Sequence, residues 1–96
     1  MSIIQAKVSG LCGGWQVGGA VTPEEKKLFA DAMAGFVGMG LEPMCYAKQV
    51  VSGTNYCFIC KYTVMTAPPQ MEGFAKVYIY KDLQGKLECT GVERIM

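Results

Sequence analysis

Histidine is missing from this chain altogether. Without it no Ser–His or Cys–His nucleophile pair can be assembled and no His-ligated zinc site exists. The commonest general base is also absent, which turns the reading away from an enzyme. Charge is scarce as well: 18% of the 96 residues are charged, with nine Lys and Arg against eight Asp and Glu, the signs interspersed. A phosphate backbone requires a basic stripe, and none is present, so nucleic acid is not an expected partner. No apolar run approaches the roughly 20 residues that span a bilayer, so no membrane partner is expected either. The twelve glycines form neither a Gly-x-Gly-x-x-Gly nor a P-loop pattern, and no cofactor is expected.

Five cysteines (Cys12, Cys45, Cys57, Cys60 and Cys89) make an odd count at uneven spacing, which argues against a disulfide framework. Met1 to Gly14 contains Lys7 and no unbroken apolar core, so it does not read as a signal peptide. Reduced thiols in the cytoplasm are the expectation, with a secreted form as the alternative. Cys57-x-x-Cys60 falls in a stretch that alternates like a strand, where residues three apart face opposite ways. Such a pair cannot readily close a ring, and zinc would need two further ligands. No metal site is expected.

What is present is apolar, 51% of the chain, enough for one domain over residues 1–96. Residues 1–21 form an N-terminal arm or strand: an alternating stretch from Ile3 to Val8, then Gly13-Gly14-Trp15, then Gln16 to Val21. Thr22-Pro23-Glu24-Glu25 predicts a helix start. Thr22 is placed to cap, Pro23 suits the first turn, and both glutamates oppose the positive end of the helix dipole. Phe29, Ala32, Met33, Phe36 and Val37 recur at three- and four-residue steps, predicting a helix over 22–37 with one buried stripe. Gly38 and Gly40 would end it.

From 41 to 96 the pattern predicts a four-strand meander. Leu41 to Lys48 comes first. Thr54 to Met65 alternates Tyr56, Phe58, Cys60, Tyr62 and Val64 against Cys57, Ile59, Lys61 and Thr63. Ala67-Pro68-Pro69-Gln70 breaks that ladder. Phe74 to Leu83 follows, with Ala75, Val77 and Ile79 on one face and Lys76, Tyr78 and Tyr80 on the other. Gln84-Gly85-Lys86 turns into a last strand from Leu87 to about Ile95. The tyrosines lack the Lys and Arg clusters of a nucleic-acid platform and are expected to decorate the sheet. The fold class is α+β: one helix packed on a four- to five-stranded antiparallel sheet.

Between the first two of these strands lies Gln49-Val50-Val51-Ser52-Gly53, followed by Thr54-Asn55-Tyr56. Ser-Gly is a turn signal, yet two β-branched apolar residues lead into it. A hairpin tip carrying exposed valines usually serves burial in a partner; the alternative is a hairpin whose valines are covered by their own domain. The pattern Gln-x-Val-x-Gly resembles the signature of the cystatins, and the Thr-Asn-Tyr that follows resembles the stefin branch.

That resemblance implies a cystatin-like fold and reversible, competitive inhibition of papain-like, cathepsin-type cysteine proteases. It implies that Gln49, Val50, Val51, Ser52 and Gly53 form an apolar wedge, with Gln49 fixing the loop. Gly13 and Gly14 would be the N-terminal contact, although Gly18-Gly19 competes for that assignment. Leu83 and Gln84 would supply the second hairpin, where the Pro-Trp or Leu-Pro pair of the family is absent and Leu83 stands in. The chain is expected to be a monomer. Strain at Val50 and Val51 would open a route to a domain-swapped dimer. The alternative function is a cystatin-fold binding module that inhibits nothing.

Overall fold

The helix begins where glycine and valine give way to Thr22-Pro23-Glu24-Glu25. A computed structural model describes residues 14–36, 40–64 and 71–95. Within them the chain forms β1 (Gln16–Ala20), α1 (Pro23–Ala32), β2 (Gly40–Val51), β3 (Gly53–Val64), β4 (Met71–Lys81) and β5 (Leu87–Arg94). Thr22 has extended backbone, and its N–H donates to Glu25 Oε1 at 3.1 Å, the half of a capping box that the glutamate supplies. The Thr22 hydroxyl donates to the same oxygen. This bond is the main reason that the Glu25 carboxyl is held below its ordinary value.

The helix stops earlier than its apolar period predicts. Its last residue is Ala32, Met33 caps it, and Gly35 takes φ +87. A left-handed residue ends a helix whatever apolar side chains follow. Phe36 therefore leaves the buried stripe and is 42% exposed. Val37 and Gly38 lie outside the described residues. The stripe that remains is Phe29, buried, with Leu28, Ala32 and Met33 partly buried beside it.

The five strands lie in chain order, β1-β2-β3-β4-β5, and every neighbouring pair is antiparallel. The alternation predicted for the central strands is found. Phe58, Cys60 and Tyr62 of β3 and Ala75, Val77 and Ile79 of β4 are buried, and α1 covers this face. Phe58 pairs with Val77 in the register and meets the edge of the Phe29 ring at 5.1 Å between centroids. Tyr78 lies on the opposite face with Lys76 and Tyr80 but is buried too.

Gly18 and Gly19 belong to the sheet. A Cβ on Gly18 would strike the Tyr46 ring at 2.2 Å, and Gly19 takes φ +84 where the β1–β2 register shifts. Both glycines thus serve β1 itself: one lets an aromatic ring lie on the backbone, the other forms a bulge. Trp15, just ahead of β1, is half-buried. The stretch Ile3 to Val8 and the proline pair Pro68-Pro69 lie outside the described residues.

Candidate functional site

The register places three segments at one end of the sheet. Val51 pairs with Gly53, so the β2–β3 turn closes at Ser52. Thr54 pairs with Lys81, which sets the β4–β5 turn beside it. Gln16 pairs with Lys48, so β1 enters the sheet at the same end, and Gly14 precedes it there. Gly14 is exposed, and among the described residues a Cβ on it would meet nothing within 4 Å. Gly13 lies outside the described residues.

The five residues of the Gln49–Gly53 stretch divide into two kinds. β2 runs on through Val51, so the valines are strand residues and the turn is narrower than expected. Alternation then separates them. Val50 is 59% exposed, Val51 is half-buried, and Ser52 is exposed. Gln49 has no exposed surface, and its Oε1 accepts a hydrogen bond from Asn55 Nδ2 at 3.3 Å, straight across the strand pair. A side-chain hydrogen bond therefore ties Gln49, at the base of the loop, across the strand pair to Asn55.

Gly53 is buried, with φ +101, and a Cβ there would fall 2.5 Å from the Lys81 carbonyl oxygen and 2.7 Å from Tyr80 Oη. None of the described non-glycine residues has positive φ. The strain expected at Val50 and Val51 is not in their φ angles; the turn's unusual conformation sits on the glycine.

The second turn is held by one carboxylate. Asp82 Oδ1 accepts the N–H groups of Gln84 at 2.9 Å and Lys86 at 2.8 Å, and the Asp82 N–H donates to the Lys86 carbonyl at 2.9 Å. Asp and Asn do this where a side chain can mimic a turn of backbone. With Gly85 at φ +91 completing the turn, Leu83 is pushed outward and is 80% exposed. Gln84 is exposed beside it.

Sequence reasoning missed Asn55, Tyr80 and Asp82. Asp82 had a signal, an Asp three residues before a Gly. Asn55 and Tyr80 had none that acts locally, because each works through the strand register. Tyr80 donates its hydroxyl proton to the Ser52 carbonyl from 28 residues away.

Cys45, Cys57, Cys60 and Cys89 are free thiols, and Cys12 lies outside the described residues. Cys60 is buried in the core and Cys57 is half-buried on the other face, as their spacing predicts. Burial pushes the Cys60 thiol up to about 12 and the Cys57 thiol in the same direction. Neither is poised as a thiolate. A raised thiol keeps its proton when folded while the unfolded chain releases it near 9.0. Stability should therefore be intact below that value and fall as pH climbs toward about 12. Urea midpoints at about pH 8 and about pH 10.5 check this, with wild type losing more than Cys60→Ala; equal losses would contradict it.

Among the described residues no group of three His, Cys, Asp or Glu could hold a metal, and no helix is long and apolar enough to cross a membrane. A hollow of about 310 Å³ between α1 and β2 is lined by Phe29, Met33, Phe36, Leu41 and Pro43 with Lys26, and brings no acid–base pair together. What this end of the sheet can do chemically is present two partly apolar turns, the second also carrying Asp82 and Lys86, to another molecule. No family model matches the chain, and no curated protein matches it.

Proposed function

We propose that this chain has a cystatin-like fold and is a reversible, competitive protein inhibitor of papain-like cysteine proteases of the cathepsin type. The observation that carries the reading is the register. It brings both hairpin turns and the entry of β1 to one end, where Val50 and Leu83 expose apolar side chains. Exposed apolar tips rimmed by polar residues mark protein-interaction sites.

In this reading Val50, Val51 and Ser52 enter the active-site cleft, and Leu83 and Gln84 touch its wall from the second turn. Gly13 and Gly14 let the N-terminal arm lie along the cleft. Gln49 and Gly53, both buried in the free chain, hold the tip in shape. A tip already fixed by Asn55 and the sheet loses little entropy on docking. It occupies the cleft without presenting a peptide bond to the catalytic thiol, so inhibition is non-covalent.

Titration of papain with the chain tests this. The expected result is stoichiometric loss of activity that substrate relieves and dilution restores. A folded chain that leaves papain fully active at micromolar concentration would overturn the proposal and favour a binding module with some other partner.

A further inference from the structure

Three polar side chains stand in one cross-strand row behind the first turn. Gln49 of β2 is paired with Asn55 of β3, and Asn55 is paired with Tyr80 of β4. Successive partners in a register share a face, so the row crosses the sheet at the third pair below Ser52, after Val51–Gly53 and Val50–Thr54. Gln49 and Asn55 are joined by their side chains. Tyr80 reaches past the row instead: its hydroxyl donates to the Ser52 carbonyl at the tip.

The path of that phenol crosses the place where a side chain on Gly53 would be. A Cβ there would lie 2.7 Å from Tyr80 Oη and 2.9 Å from its Cε1. Glycine at this position therefore meets two separate demands. It accepts φ +101, and it leaves an opening through which a residue of β4 touches the turn between β2 and β3.

We infer that Tyr80 is the positioning residue of the first hairpin, a latch from β4 that holds the Ser52 carbonyl through the opening at Gly53. The latch concerns the order of the tip itself; its effect on protease affinity rests on the function proposed above. Removing the hydroxyl leaves the ring and its packing in place but releases the carbonyl. The tip then samples conformations that no longer fit a partner, and apparent affinity falls by the fraction of time spent in them.

The test is Tyr80→Phe against wild type, read by amide hydrogen exchange and by papain inhibition. Amides of residues 50–55 should exchange about five- to tenfold faster, the factor that one net hydrogen bond is worth. Amides of Phe58 and Val77, in the core, should be unchanged. Inhibition should weaken by no more than the same factor. Equal exchange at the tip in both chains would overturn the latch. So would faster exchange spread evenly over tip and core, which would mean a general loss of stability. If wild type does not inhibit papain, the proposed function fails, and the exchange comparison still decides the latch by itself.

Discussion

Val50→Asp should weaken papain inhibition by about a hundredfold or more while leaving the melting temperature within a few degrees of wild type. Val50 is 59% exposed in the free chain, so a carboxylate there sits in water and unfolds nothing. In a complex it would have to leave that water for an apolar cleft. The effective penalty for burying an unpaired ion is several kcal/mol, and about 3 kcal/mol already corresponds to the hundredfold loss. Val51→Asp is the poorer probe, because Val51 is half-buried and shares its face with buried Gln49. Met71→Asp is the control. It adds the same charge at another exposed apolar residue, at the opposite end of the sheet where Met71 pairs with Val64. Wild-type inhibition by Val50→Asp would remove the tip from the interface.

Gly53→Ala should cost about 2–4 kcal/mol and lower the melting temperature by roughly 10–20 °C in a domain of this size. Two effects combine. A non-glycine residue at φ +101 is strained, and its methyl would lie 2.5 Å from the Lys81 carbonyl oxygen, where backbone has to move. Gly85→Ala separates them. Gly85 has φ +91 but, among the described residues, nothing within 4 Å of a Cβ, so it should show the conformational cost without the clash. Thermal unfolding of both variants reads the difference. A Gly53→Ala midpoint no lower than that of Gly85→Ala would show that the two hairpins yield easily to a methyl group. Any binding defect of a Gly53 variant reports the collapse of the turn as well as the contact, which is why Val50 is the better test of the interface.

The central strands were legible because each of their residues obeys a rule that acts two positions away. Phe58, Cys60 and Tyr62 had to share a face, and that face had to be covered. The start of α1 was legible for a similar reason, since Thr22, Pro23 and Glu25 act within one turn. Its end was not. Phe36 and Val37 carry the apolar period onward, while the stop is a backbone angle at Gly35 that no periodicity registers.

The first hairpin shows the same division. Ser52-Gly53 marks the turn, but how far β2 runs toward it depends on pairing with β3, and the register decides that Val50 points out while Gln49 is enclosed. A buried glutamine looks improbable until Asn55 is known to lie opposite. Tyr80 is further still from any sequence signal, because its role requires β4 to lie beside β3 in one particular alignment.

The common end of the two hairpins is a matter of parity. In an antiparallel meander every second connection falls on the same side, so the β2–β3 and β4–β5 turns meet there without any residue selecting it, and β1, running opposite to β2, enters beside them. One strand more or fewer between the hairpins would send the second turn to the other side. β3 ends, β4 begins and β5 exits toward the opposite end, so a tether attached beyond Arg94 would leave the apolar end facing outward.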